Sequence, residues 1–265
     1  MIGAQALLVT LQAILLLCRI LGSALGIDVI HWAALLLLPL PFVFRERKNA
    51  ETSALLSLPK KEKMRTILPC MPWIVLATVL TALLCSLLMR VVGIEVAPIE
   101  ETSLWRALLS HAVVPAVLEE CFFRYLPLVL LKRGKPRTLV LISSLFFALA
   151  HLSLYQIPYA FVAGVLYMLV ALYTESILPC VLLHFFNNAL SVLMMLYGDV
   201  AIFGILLGVL CALTLALSLI VLLRRRGEYR DALRHLFSKG EKIQVESSTV
   251  FYSIFVFLLT ILFIL

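Results

Sequence analysis

The chain has 265 residues, 63% of them hydrophobic, and a formal net charge of +7. Its mean hydropathy of +1.09 excludes a water-soluble globular domain, because such domains are only about half apolar. The basic residues lie in short runs between apolar segments and not along one face, so the charge indicates membrane topology and argues against nucleic acid as a partner. The six cysteines show no paired spacing, and we interpret them as small buried hydrophobic residues.

Apolar segments recur along the whole chain. A membrane-spanning helix needs about 20 mostly apolar residues, and the second and fifth segments are short by that measure. The pattern predicts an all-α fold, a polytopic transmembrane helical bundle of about eight or nine membrane helices. The predicted segments are 4–24, 29–44, 72–92, 108–131, 138–152, 157–173, 177–197, 200–223 and 249–265.

The distribution of basic residues predicts the orientation of the bundle. Three loops, Arg45 to Arg65, Lys132 to Arg137 and Arg224 to Lys242, hold 18 of the 22 Lys and Arg residues. Since basic loops are retained on the cytoplasmic side, we expect all three there, with the N-terminus cytoplasmic and the protein in the plasma membrane. The first basic residue, Arg19, follows the first apolar core, so we expect that segment to be kept as a helix and not cleaved as a signal peptide.

Polar and ionisable side chains fall inside three of the predicted membrane segments. An ionisable group there costs about 2.5 to 3.5 kcal/mol on insertion scales, and it is tolerated where it pairs or takes part in function. Counted from the flanking charges at about 1.5 Å per residue, Glu119, His151, His184 and Asn188 lie about 14 to 21 Å from the cytoplasmic boundary, in one central layer. The residues are Glu119, Glu120, Arg124, His151, His184 and Asn188.

Spacing within the first of these segments predicts two different roles for its carboxylates. Glu120 and Arg124 are four residues apart and share a helix face, so we expect a structural ion pair that leaves Glu119 to address another partner. Pro115 has no amide hydrogen, so the carbonyl of His111 loses its helical donor, which we interpret as a packing kink. We interpret His111 and His31, which lie nearer segment ends, as packing or interfacial residues.

Three short motifs occur in order within these segments. Residues 119–124 read EExxxR, residues 147–151 read FxxxH and residues 184–188 read HxxxN. In order and spacing they resemble the motif set of the CPBP family, which comprises CAAX proteases and bacteriocin-processing proteases and is also called the Abi family. The resemblance covers about 70 residues and does not extend to the first hundred.

The resemblance implies an intramembrane endopeptidase that cleaves membrane-associated or lipidated peptides or proteins. In the family pattern Glu119 activates a water molecule, and His151, His184 and Asn188 complete a site supported by Glu120 and Arg124. A carboxylate can act as the general base, while imidazole and amide groups can orient the water or donate hydrogen bonds to an oxyanion. The family is commonly classed with the metalloproteases, which implies zinc or another divalent metal. The candidate ligands are His151, His184 and Glu119. The sequence leaves the requirement for metal open.

Two other classes of function remain open at the level of sequence. A non-catalytic bacteriocin-immunity or binding protein can keep the same polar cluster as a structural network. A proton-coupled transporter also places Glu and His near the membrane midplane, although we find no internal repeats.

We predict three regions: N-terminal membrane helices with a basic loop in 1–105, a catalytic membrane core in 106–200, and C-terminal membrane helices with a basic, amphipathic connector in 201–265. Oligomeric state is not indicated.

Overall fold

The computed structural model describes residues 2–25, 27, 29–93, 103–131, 135–238 and 247–262. Within these ranges every regular element is a helix, so the predicted all-α, polytopic bundle is confirmed. The α-helices are α1 (Ile2–Leu25), α2 (Val29–Leu37), α3 (Leu40–Glu46), α4 (Ala50–Ala54), α5 (Lys61–Ile67), α6 (Met71–Val91), α7 (Leu104–Leu108), α8 (Val114–Glu120), α9 (Leu126–Leu130), α10 (Pro136–Leu149), α11 (Gln156–Thr174), α12 (Leu178–Tyr197), α13 (Ala201–Arg224), α14 (Arg226–Ser238) and α15 (Ser247–Leu262).

Six helical segments in the described part of the chain are long and apolar enough to cross a membrane. They are Gly3–Leu25, Val29–Glu46, Lys61–Val91, Gln156–Thr174, Leu178–Tyr197 and Ala201–Arg224. The remaining parts of the bundle are the polar helical run 104–130, formed by α7, α8 and α9 with the turns between them, and two shorter apolar helices, α10 and α15. The chain is therefore an integral, multi-pass membrane protein, and the number of eight or nine membrane helices stays a prediction.

The outer helices present apolar side chains all round, as expected for contact with lipid. In α13 only 6% of the most apolar window is buried inside the protein. Its exposed side chains include Leu206, Leu210 and Leu217, each more than half exposed. A helix that is hydrophobic on every face is stable only in a core or a membrane, so this surface indicates lipid as the solvent.

The basic segments lie together at one end of the bundle. Lys63 forms an ion pair with Glu175, at the C-terminal end of α11, with Nζ and Oε2 2.7 Å apart. Arg225 donates to the backbone carbonyl of Arg65 at 3.2 Å, and the guanidinium of Arg137 lies 5.7 Å from the ring centroid of Phe237 in α14. The end of α1 and the starts of α2 and α11 lie close together, since Ser23, His31 and Gln156 line one cavity.

A close contact between α10 and α11 fixes the helices that carry part of the polar cluster. Gly164 of α11 faces Ser144 of α10 so closely that a Cβ atom added at Gly164 would lie 2.8 Å from the Cα atom of Ser144. Only glycine allows the two backbones to approach in this way, as is common between membrane helices. The contact sets the position of Phe147 and His151, which lie near the end of α10.

Candidate active site

Two wide π-helical turns flank the pair of glutamates. Leu109–Val113 precedes α8 and Cys121–Tyr125 follows it, so the helical run 104–130 is continuous but changes its winding twice. Glu119 and Glu120 are the last two residues of α8, between these turns. Turns of this kind are rare and are frequently found at functional sites.

Glu120 is fully buried and has two polar partners. Its Oε2 atom lies 3.1 Å from Nε of Arg124, which is also fully buried, so the predicted Glu120–Arg124 pair is confirmed. Its Oε1 atom lies 2.9 Å from Nδ1 of His184 in α12. This second contact was not predicted, since the sequence suggested that only Glu119 would face a histidine. A buried charge is stable when it is paired and hydrogen-bonded in this way.

His184 lies between the two carboxylates. The carboxylate of Glu120, paired with Arg124, offers only acceptors, so Nδ1 of His184 donates to it and Nε2 of the neutral ring carries a lone pair and no hydrogen. That Nε2 atom lies 3.9 Å from Oε2 of Glu119, too far for a direct hydrogen bond. Two acceptors at this separation repel each other unless a hydrogen lies between them, and a water molecule that donates to both atoms satisfies them.

Phe147 connects the ion pair to both histidines. The guanidinium of Arg124 lies 4.6 Å from the centroid of its ring, a cation–π contact inside the protein. The same ring packs edge-on against the rings of His151 and His184, with centroids 5.0 and 5.7 Å away. The aromatic residue of the FxxxH motif therefore packs between the two imidazoles, a contact that the motif alone did not indicate.

The tautomer of His151 follows from its contact with the preceding helical turn. Its Nδ1 atom lies 2.8 Å from the backbone carbonyl oxygen of Phe147. A carbonyl oxygen can only accept, so Nδ1 carries the hydrogen and Nε2 is an acceptor in the neutral ring. His151 and His184 therefore have the same protonation pattern and offer two acceptors.

Asn188 bonds to the helical run that carries the glutamates. Its Nδ2 atom donates to the carbonyl oxygen of His111 at 3.0 Å. This is the carbonyl that Pro115 deprives of its helical donor, so a side chain from α12 replaces the missing amide. The neighbouring Asn187 accepts a hydrogen bond of 2.7 Å from Thr78 of α6, which ties α12 to a third helix.

Four of the six predicted site residues line one polar cavity of about 530 Å³. They are Glu119, His151, His184 and Asn188. Glu120 and Arg124 lie behind the cavity wall, where their exposure is 0%. Oε2 of Glu119 is buried and has no hydrogen-bond partner within the described residues. A buried carboxylate oxygen that faces a polar cavity is a favourable position for a water molecule.

The cavity also contains residues that the sequence analysis did not assign to a site. His31 and His111, interpreted as packing or interfacial residues, line it, as do Arg19 of α1 and Tyr159 and Tyr167 of α11. The signal for Arg19 was present in the sequence, since it is a charged residue inside an apolar segment. Tyr159 and Tyr167 gave no such signal, because tyrosine is common in membrane helices.

A structural or catalytic zinc ion needs at least three protein ligands gathered around one point. Each candidate histidine donates Nδ1–H to a carbonyl or carboxylate, the outer contact typical of metal-binding histidines. Among the residues that the structure describes, however, no three His, Cys, Asp or Glu side chains are gathered closely enough to hold a metal ion. As arranged, Glu119, His151 and His184 do not fit a three-ligand zinc site, and the predicted metal stays a prediction.

The fold and the cavity define an integral, multi-pass membrane protein with a carboxylate–histidine cluster buried among its helices. Residues 101–190, which contain every residue of the cluster, match the family model of the Rce1-like proteins, described as type II CAAX prenyl endopeptidase Rce1-like. This match confirms the resemblance indicated by the motifs, and at the level of the family it supports a CAAX-type intramembrane protease. No curated protein and no solved structure matches the chain.

Proposed function

We propose that this protein is an intramembrane endopeptidase in which Glu119 is the general base. The observation that carries the proposal is the unbonded Oε2 atom of Glu119, which faces a polar cavity 3.9 Å from the acceptor Nε2 of His184. A water molecule that donates one hydrogen to each atom keeps its lone pairs free. Those lone pairs can then attack the carbonyl carbon of a peptide bond.

Hydrolysis then follows from the groups on the cavity wall. As water attacks, one of its protons moves to Glu119 and the peptide carbonyl becomes a tetrahedral oxyanion. The amide of Asn188, held against His111, is a donor positioned on the wall to stabilise that charge. Glu119 then passes its proton to the departing amine, which releases the two peptide fragments. Nε2 of His151 is a further acceptor on the cavity wall and is available to an N–H group of the bound peptide, since both hydrogens of the water are already donated.

Glu120, Arg124 and Phe147 position these groups without reaching the reacting atoms themselves. Glu120 holds the Nδ1–H tautomer of His184, and Arg124 neutralises Glu120. The ring of Phe147 keeps the two imidazoles at a fixed separation. The substrate class that we propose is a membrane-associated or lipidated peptide or protein, since the cavity lies among apolar helices and the family description names a prenyl endopeptidase.

The orientation that we propose places the basic end of the bundle in the cytoplasm, as basic segments are retained there. Several residues that line the cavity lie at the helix ends that are farther from the basic loops, such as Ser23 of α1 and Gln156 of α11. A substrate therefore reaches Glu119 from the half of the membrane opposite the basic loops.

Proteolysis by the purified, reconstituted protein tests this function. Membrane-associated and prenylated peptides are incubated with the wild type and with Glu119→Gln, and new termini are identified by mass spectrometry. We expect the variant to lose at least about a hundredfold in rate, since proton transfer by a positioned base contributes about 10²- to 10⁴-fold. Equal cleavage by both proteins would contradict the role of Glu119.

Removal of divalent metal is a separate arm of the same assay. Protein treated with a chelator and assayed in metal-free buffer should cleave at the untreated rate if the side chains alone hold the water. A loss that is restored by added zinc would assign a metal to the site and replace this account of the water's position, while leaving the protease function in place.

A further inference from the structure

A guanidinium group lines the same cavity as Glu119. Arg19 lies within the apolar span Gly3–Leu25, and its side chain is partly buried. It is the one Lys or Arg among the described residues that line the cavity. A cation inside a membrane span is tolerated where it pairs or takes part in function. The cavity thus has a positive group on the α1 wall and a carboxylate on the α8 wall.

The guanidinium is held beside the proposed reaction centre. Nη1 of Arg19 donates to the backbone carbonyl of Ala150, the residue before His151. That carbonyl lies at the C-terminal end of α10, where the helix dipole is negative and favours a cation. Glu119 and His151 line the same cavity as this guanidinium. The hydrogen bond to Ala150 therefore holds the cation on the wall of the cavity that contains Glu119 and His151.

We propose that Arg19 binds a carboxylate of the peptide substrate and so determines which peptides the cavity accepts. The planar fork of a guanidinium matches the two oxygens of a carboxylate. Ser23, one helical turn further along α1, lines the same wall and adds a hydroxyl group. The inference rests on the proposed protease function, and it names a specificity-determining residue for that function.

The charges of the cavity also orient the peptide. Glu119 repels a substrate carboxylate, and Arg19 attracts it, so the anionic part of the peptide lies against α1 and the bond to be cleaved lies nearer Glu119. Charges in a cavity that is only partly open to water interact more strongly than charges on the surface. The carboxylate is either the free C-terminus of the peptide or the side chain of an Asp or Glu.

The experiment uses one membrane-associated peptide in three forms: a free C-terminal acid, a C-terminal amide, and an amide that ends in Glu. We expect wild-type kcat/KM to be about tenfold to a hundredfold higher for the acid than for the plain amide, the range for a hydrogen bond to a charged group. Arg19→Gln should abolish this preference, so that the acid and the plain amide are cleaved with equal kcat/KM, while Arg19→Lys should retain part of it. Arg106→Gln, which removes an exposed cation outside the cavity, is the matched control.

The three peptides separate the outcomes. If the Glu-ended amide is cleaved like the acid, the side-chain carboxylate is sufficient, and if it is cleaved like the plain amide, the terminus is the group recognised. An unchanged ratio of acid to amide in Arg19→Gln, with both rates lowered equally, would show a structural role through Ala150 and overturn the proposal. If the wild type cleaves none of the peptides, the protease function fails, and binding of fluorescent acid and amide peptides to the wild type and Arg19→Gln still decides the role of Arg19.

Discussion

The side-chain amide of Asn188 donates a hydrogen bond to the backbone carbonyl of His111, with Nδ2 and O 3.0 Å apart. Pro115, four residues after His111, has no hydrogen to offer that carbonyl. Asn188 therefore has two functions in this structure. It closes a gap in the helical hydrogen bonding beside Glu119, and it places an amide donor on the wall of the cavity.

Asn188→Ala should lower the free energy of unfolding by about 0.5 to 1.5 kcal/mol, because it removes this hydrogen bond. In a Pro115→Ala background the same change should cost less, since the alanine introduced there has a backbone amide that can reach the carbonyl of His111. A double-mutant cycle of thermal stability in detergent measures the difference. Additive effects of the two changes would mean that the bond does not depend on Pro115.

Glu119→Gln and Glu120→Gln should differ in stability although the residues are neighbours. Removing the charge of Glu120 leaves buried Arg124 without its carboxylate, and breaking a buried ion pair in this way costs about 3 to 5 kcal/mol. Oε2 of Glu119 has no hydrogen-bond partner among the described residues, so the Glu119 variant should retain wild-type stability. Melting curves of the two purified variants make the comparison. Equal destabilisation by both changes would contradict the separate roles.

Phe147→Leu should reduce proteolysis more than stability. Leucine keeps the site apolar but loses the cation–π contact with Arg124 and the edge contacts with His151 and His184. Imidazoles displaced by about 1 Å can cost about a hundredfold in rate. The rate of cleavage and the melting temperature are measured on the same preparation. Phe186→Leu, at an aromatic side chain of α12 that is 55% exposed, serves as the control and should have wild-type activity.

Gly164→Ala should destabilise the bundle by about 1 to 3 kcal/mol, the usual cost of inserting atoms into packed structure. The added Cβ would lie 2.8 Å from the backbone of Ser144, so α10 and α11 would have to separate. Gly204→Ala, where no atom lies within 4 Å of an added Cβ, is the matched change. It should be neutral or slightly stabilising, because alanine favours helix by about 1 kcal/mol. The two variants are compared by thermal unfolding in detergent.

A single cysteine introduced at each end of the bundle should report the orientation. Ser57→Cys should react only with a reagent that reaches the cytoplasm, because this position belongs to the basic end. Gly93→Cys should react with an impermeant reagent added outside the cell. The native cysteines are replaced first, and labelling is measured in intact and permeabilised cells. The reverse pattern would invert the proposed topology.

Local features of the sequence predicted the class of fold and the ion pair. Hydropathy depends on each segment alone, so the polytopic helical bundle could be inferred without tertiary information. The pairing of Glu120 with Arg124 depends on residues one helical turn apart, and it too is a local property. The depth estimate placed Glu119, His151, His184 and Asn188 in one layer, because rise per residue is constant in a helix.

Other parts of the site depend on contacts between distant helices. Three of these contacts could not be inferred, because they depend on how each helix is rotated about its axis. They are the hydrogen bond of His184 to Glu120, the hydrogen bond of Asn188 to the carbonyl near Pro115, and the packing of Phe147 against Arg124. The two π-helical turns beside Glu119 change that rotation, and no sequence pattern specified them.

The sequence by itself determined that this is a helical membrane protein with carboxylate, imidazole and amide groups at one depth, since apolar length and helical spacing are properties of single segments. Only the tertiary structure decided that Arg19, far from the motifs, lies on the wall of the same cavity. The physical reason is that packing between helices sets which faces meet, and this packing involves residues far apart in the chain.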